Sequence, residues 1–423
     1  MEKRYSFETN CVHGTYDPKQ FNKARAVPLF QSSAFVYDLS GNAADLFSFN
    51  AEGSLYMRID NPTVHEAENR IALLEGGIGA VCFASGMAAM SGFILNFLKA
   101  GDRVLSGCYL YGGTSGLLKD TLPKLGIETD FFDTEDLAGA EKLIRPETKL
   151  VIIENLANPS LIVPDTTAIA AICRKHRIPL LVDNTIATPL LSNPIEHGAD
   201  FVLHSCTKYM EGHGNIIGGA IVDAGTFTFD RERYPLMYEE AAEGKNFYEK
   251  FGAMAFLGRL RAKVLMNTGG CMAPFHAYML LHGLESFHVR MERHCENAAK
   301  IAAHLAAHPK ISWVCYPGLE NHASFETAKK YLRTHRGAML GFGIKGGYDA
   351  CKTFINTVKL LSHTTNIGDT KTLVIHPAST THRNMSAEDK LKAGIKDDFI
   401  RMSVGIENAD DLIAEIDAAL ERI

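Results

Sequence analysis

No run in this 423-residue chain approaches the roughly 18 consecutive apolar residues of a membrane span. The opening Met1-Glu2-Lys3-Arg4-Tyr5-Ser6-Phe7-Glu8 also lacks the apolar centre of a secretory signal, so a cytoplasmic protein with no membrane partner is expected. Basic residues are in short supply: 43 Lys and Arg stand against 49 Asp and Glu, a net charge of -6, with no lysine- or arginine-rich block. That argues against nucleic acid as a partner. Nine cysteines cannot all pair, and Cys82, Cys173 and Cys271 fall in apolar segments, so they read as reduced core residues. Biased tracts are missing too. At 46% apolar and 22% charged residues the composition is that of a globular protein, long enough for two domains.

What is present centres on Asp200-Phe201-Val202-Leu203-His204-Ser205-Cys206-Thr207-Lys208-Tyr209-Met210-Glu211-Gly212-His213-Gly214. The apolar run 201–203 reads as a buried strand that delivers two hydroxyls and a lysine to its end before a glycine-broken loop. Burial disfavours an ammonium, and a neutral amine attacks carbonyls, which makes Lys208 the candidate covalent residue.

Residues 1–63 show weak periodicity and many turn formers, as in an extended arm; within it Tyr56 and Arg58 share a face if the segment is extended. Helical spacing begins at Thr63 with Val64, Ala67, Ile71 and Leu74, capped by Asp60 or Thr63. Ala80–Ala84 then reads as a strand, and Ser85-Gly86-Met87 opens an apolar helix to about residue 98. Such a turn presents backbone amides and the positive end of a helix dipole to a phosphate. Further strands are expected near 103–106, 127–132, 149–154, 179–183, 200–204 and 218–223, with helices near 112–125, 136–144 and 165–176. This rhythm predicts an α/β fold with a mostly parallel sheet and ligands at its carboxyl edge, where Ser85, Asn158, Asp183 and Lys208 all fall.

Asp183 closes an apolar strand and needs a cation such as a protonated ligand nitrogen, unless it merely caps a turn at Asn184-Thr185. Tyr111, beside Gly112 and Gly113, can stack on a flat ring or simply start a helix. Residues 224–273 break the rhythm. Beyond Pro274 the patterns turn to long helices and short strands, an α+β second domain in which Arg401 and Ser403 share one strand face and Arg401 can grip a carboxylate.

Other signatures fail. Ser205-Cys206-Thr207-Lys208 has S-x-x-K spacing without the accompanying Ser-Asp-Asn and Lys-Thr-Gly, and the glycines at 212, 214 and 218 miss a dinucleotide fingerprint. His304 and His308 have metal-ligand spacing, but Leu305 stands where a metalloprotease has its glutamate, and no metal is expected.

As a whole, the stretch 200–214 resembles the pyridoxal-phosphate attachment signature of the Cys/Met metabolism family, with Lys208 at the attachment point. The resemblance extends along nearly the entire chain. Within the family it is most similar to the branch acting on O-acetylhomoserine, through Tyr111-Gly112-Gly113-Thr114, the segment Asn366-Ile367-Gly368-Asp369-Thr370-Lys371-Thr372-Leu373-Val374-Ile375-His376-Pro377-Ala378-Ser379-Thr380-Thr381-His382 and the long insertion before Pro274.

The resemblance implies the pyridoxal-phosphate-dependent transferase fold of type I, as in aspartate aminotransferase: an arm (1–63), a cofactor-binding large domain (64–273) and a small C-terminal domain (274–423). By position, Ser85, Gly86, Met87, Ser205 and Thr207 lie around the cofactor phosphate, and Tyr56 and Arg58 reach it from a neighbouring subunit. Tyr111 stacks on the ring, Asp183 pairs with its nitrogen and Asn158 lies at its 3-hydroxyl side. Arg401, with Asn366 and Asn158, takes the substrate carboxylate. The implied reaction is γ-replacement: O-acetylhomoserine and sulfide, free or on a sulfur carrier, yield homocysteine and acetate in methionine biosynthesis. The implied assembly is a tetramer with shared sites. A lyase or a cystathionine enzyme of the same fold is the alternative; Gly113, where methionine γ-lyases carry cysteine, counts against that lyase. Asn155 departs from the small hydroxyl residue expected there.

Overall fold

The computed structural model describes residues 5–51, 53–333, 335–380, 383 and 396–423. Met1 to Arg4 and Thr381-His382, quoted above, lie outside the described residues.

Seven strands form the main sheet: β1 (Gly79–Phe83), β2 (Arg103–Gly107), β3 (Glu128–Phe132), β4 (Thr148–Glu154), β5 (Leu180–Asp183), β6 (Phe201–His204) and β7 (Gly219–Asp223). Their order is β1-β7-β6-β5-β4-β2-β3. β2 to β6 run parallel, and β7 alone runs against both its neighbours. Helices cover both faces, so the central strands are apolar throughout: Leu150 to Ile153 and Leu180 to Val182 are fully buried. From β2 the chain moves outward to β3; from β4 it moves the other way to β5 and β6. The carboxyl ends of β2 and β4 therefore flank a topological switch point, where diverging connections open a crevice.

The first 63 residues contain two short helices, α1 (Phe7–His13) and α2 (Ser40–Phe47), which weak periodicity did not predict. Helices this short carry too few turns to show a 3.6-residue pattern. α3 (Pro62–Glu75) starts one residue before the expected Thr63, and its cap is Asn61, whose side chain accepts the Thr63 amide at 3.0 Å. Its predicted apolar face, Val64, Ala67, Ile71 and Leu74, is buried. α4 (Gly86–Phe97) is capped by Ser85, whose hydroxyl accepts from Ala88 N at 3.0 Å. The helices expected near 112–125, 136–144 and 165–176 are present.

A second sheet of five strands lies in the C-terminal part, in the order Ile311–Cys315, Met339–Ile344, Phe399–Ser403, Leu373–Ile375, Ser362–His363. Helices Phe287–Ala307, Gly347–Thr357 and Ala409–Leu420 bury Ile301, Phe354 and Leu412 against its Phe342 and Ile400. Helix Pro274–Glu285 instead shares a core with α3, through Leu280, Leu284 and Ile71. No helix among the described residues is long and apolar enough to cross a membrane.

Candidate active site

Three strand ends build the floor of the crevice. Lys208 follows β6, and its Nζ donates to Asn366 Oδ1 at 2.6 Å. Burial, and then the Arg401 charge, lower the Lys208 amine from its ordinary range to about 8. Roughly a tenth of it is therefore free base at pH 7, against well under a thousandth for an unperturbed lysine.

Asp183 ends β5. Its Oδ1 accepts from Thr185 N at 3.0 Å and Thr185 Oγ at 2.5 Å, so it does cap the turn at Asn184-Thr185. No hydrogen bond reaches Oδ2 from the described residues. Burial raises the Asp183 carboxyl above its usual range, against the pull of Thr185 and His204. Behind it His204 Nε2 meets Glu75 Oε1 at 2.5 Å, and Asn184 Nδ2 donates to the same oxygen at 2.8 Å. Asn155 joins this buried group through Asn184 Oδ1 at 2.8 Å instead of facing the crevice.

Glu154 ends β4 directly opposite Asp183. Its Oε1 accepts the backbone amide of Tyr111, and its Oε2 accepts that of Asn158 at 3.1 Å. Tyr111 itself is half-exposed over the crevice. A Cβ at Gly113 would stand 2.5 Å from the Tyr111 ring, so glycine there leaves the ring its place.

Arg401 enters from the second sheet. Its Nη1 donates to Asn158 Oδ1 at 3.3 Å, and its Nη2 donates to the carbonyls of Thr365 at 2.9 Å and Asn366 at 3.2 Å. Burial lowers its guanidinium to about 10, and its Nε is buried with no partner among the described residues. Lys208, Asn366, Arg401 and Asn158 thus form one connected cluster.

The β1–α4 turn lies against the β6 loop. A Cβ on Gly86 would stand 2.8 Å from Ser205 Cβ, so only glycine admits this approach. Ser205 N donates to Thr185 Oγ at 2.9 Å, and the Thr207 hydroxyl accepts from Gly218 N at 3.0 Å. Met87 Sδ lies 3.2 Å from a Gly113 Cβ position, bringing the turn beside the Tyr111 loop.

Tyr56 and Arg58 are not part of this cluster. Their segment turns instead of extending, with Ile59 N on Tyr56 O at 2.8 Å. The Arg58 guanidinium sits 5.4 Å over the Tyr56 ring and donates to Met266 O. His304 is paired with Asp417 at 2.7 Å, and no three His, Cys, Asp or Glu side chains converge as a metal site among the described residues. Sequence reasoning missed Glu154, His204 and Glu75, and met Thr185 only as part of the turn that Asp183 caps. Glu154 and Thr185 adjoin strand ends, which was the available signal; Glu75 is brought in by tertiary packing alone.

A lysine of lowered basicity, a carboxylate at a neighbouring strand end and a glycine-bounded helix start, on this sheet, define a pyridoxal-phosphate-dependent enzyme of fold type I. A Campylobacter jejuni O-acetylhomoserine (thiol)-lyase structure carrying N'-pyridoxyl-lysine-5'-monophosphate superposes with a TM-score of 0.95 at 37% identity, covering 99% of this chain and 100% of that one. The Cys/Met metabolism PLP-dependent enzyme profile matches residues 8–421, and the chain belongs to that family. The Schizosaccharomyces pombe homocysteine synthase is 43% identical over 98% of both chains. The Leptospira meyeri O-acetyl-L-homoserine sulfhydrylase is 41% identical, over 100% of this chain and 98% of its own.

Proposed function

We propose that this chain converts O-acetyl-L-homoserine and sulfide to L-homocysteine and acetate, a step of methionine biosynthesis. The observation that carries this reading is the meeting of Lys208, Asn366 and Arg401 in one crevice. Full-length relatives named for this reaction support it over the lyase and cystathionine alternatives.

The residues present fit pyridoxal 5'-phosphate. The amides of Gly86 and Met87, with the hydroxyls of Ser205 and Thr207, would hold its phosphate at the start of α4, where the helix dipole favours an anion. Ser85 shapes that turn through its capping bond. Tyr111 would cover the ring, Asn158 would meet its 3-hydroxyl side, and the Oδ2 of Asp183, without a hydrogen bond from the described residues, would take the ring nitrogen. When bound, the cofactor supplies an aldehyde for amines and an electron sink for the pair left at Cα.

Lys208 would hold the cofactor through its amine and, as a free base, would take the Cα proton of the substrate. Arg401 grips the substrate carboxylate with its planar fork, helped by Asn366 and Asn158. Loss of a Cβ proton to base breaks the Cγ–O bond and releases acetate; hydrosulfide then adds at Cγ, and protons return to Cβ and Cα to give homocysteine.

Tyr56 and Arg58 serve the site of a neighbouring subunit, making the protein an obligate oligomer, a tetramer of such dimers. The chain is divided into an arm (1–63), a large domain (64–273) and a small domain (274–423). It acts in the cytoplasm. Mixing Arg58→Ala with Lys208→Ala subunits should restore activity that neither has alone, and no restoration would refute sharing.

Turnover of O-acetyl-, O-succinyl- and O-phospho-L-homoserine with saturating sulfide tests the substrate. The acetyl ester should be fastest; a faster succinyl or phospho ester would overturn the assignment.

A further inference from the structure

We propose that Glu154 is a positioning residue: its carboxylate ties together the two walls of the switch-point crevice and thereby sets where Tyr111 and Asn158 stand against the cofactor. The proposal rests on the reading of those two residues as cofactor contacts.

One wall is the loop after β2, which carries Tyr111; the other is the loop after β4, which carries Asn158. Their connections leave in opposite directions, toward β3 and toward β5, so the sheet ladder does not hold them together beyond the strand ends. Glu154 does. One carboxylate oxygen takes the Tyr111 amide and the other the Asn158 amide. Asn158 in turn accepts from Arg401, which places Glu154 one residue from the carboxylate-binding cluster on the second wall.

A buried carboxylate is unfavourable unless it is paired or hydrogen-bonded. Glu154 is 6% exposed, and no cation among the described residues pairs with it. Burial, followed by the Asp183 charge, pushes its carboxyl well above the ordinary range, while the two amides pull it down. A glutamine of equal size would fill the same space without that penalty. It would offer only one acceptor oxygen, however, and would present an NH2 to one of the two amides. Two acceptors diverging from one stem are what the carboxylate supplies here.

Glu154→Gln tests this. The dissociation constant for pyridoxal 5'-phosphate should rise about ten-fold, as for loss of one charge-assisted hydrogen bond. The visible circular dichroism of the bound cofactor, which reports its pose, should fall, while the thermal midpoint of the cofactor-free protein stays within a few degrees. In a double-mutant cycle with Tyr111→Ala the two losses should be less than additive, because Glu154 acts through the placement of Tyr111. Wild-type affinity and dichroism, or strictly additive losses, would overturn the proposal. If Glu154→Gln does not fold, Glu154→Asp replaces it; its shorter stem reaches one loop only, and the same two results decide. A wild-type protein that binds no pyridoxal phosphate would instead remove the underlying reading.

Discussion

Lys208 and Asn366 meet at 2.6 Å, the amine donating to the amide oxygen across 158 positions of chain. Lys208 belongs to the turn after β6 of the main sheet, and Asn366 to the loop between the strands Ser362–His363 and Leu373–Ile375 of the second. The backbone carbonyl of Asn366 also accepts from Arg401. One residue therefore connects the amine to the guanidinium, whose charge helps keep that amine from holding a proton.

In the cofactor-free protein the Lys208 amine lies at about 8, against 10.5 when unperturbed. The rate of cofactor attachment should rise through about pH 8 and then level. The same group also makes stability depend on pH. Between about 8 and 10.5 the unfolded chain binds more protons, so the contribution of Lys208 to stability grows as pH climbs through that window. An attachment rate that levels only near 10.5 would show an unperturbed amine.

Replacing Lys208 by alanine should remove the visible absorbance that borohydride bleaches in the wild type and lower turnover at least ~10²–10⁴-fold. Unchanged spectra would contradict its role.

Asp183→Asn should keep the cofactor but weaken its hold on the ring proton. A carboxylate partner shifts such a group by about 1–3 units, so turnover should fall about 10- to 1000-fold with little change in cofactor content. Near-normal turnover would argue that Asp183 only caps its turn.

Much of the fold was legible because parallel strands buried on both faces are unbroken apolar runs: β4, β5 and β6 stand where the runs ending at Glu154, Asp183 and His204 placed them. Lys208, Asp183, Asn158 and Tyr111 were legible for the same reason, since each follows a strand. The arm was not. α1 is seven residues long and buries only Cys11, which leaves no pattern to read. Glu154 escaped notice because a glutamate at the end of a strand looks like an exposed terminus; only the loops that fold over it reveal its two amides. The pairing of His204 with Glu75, whose histidine acts on Asp183 through its charge, spans 129 positions and has no local signal.

Arg401→Lys keeps the charge and loses the planar fork that also reaches the carbonyls of Thr365 and Asn366. KM for O-acetylhomoserine should rise about ten-fold or more, with a smaller change in kcat. An unchanged KM would place the substrate carboxylate elsewhere.

The most direct test is to incubate the protein with pyridoxal phosphate and O-acetyl-L-homoserine, with and without sulfide, and to quantify homocysteine and 2-oxobutanoate together. Homocysteine as the dominant product whenever sulfide is present is the predicted result; 2-oxobutanoate dominating in both reactions would contradict it.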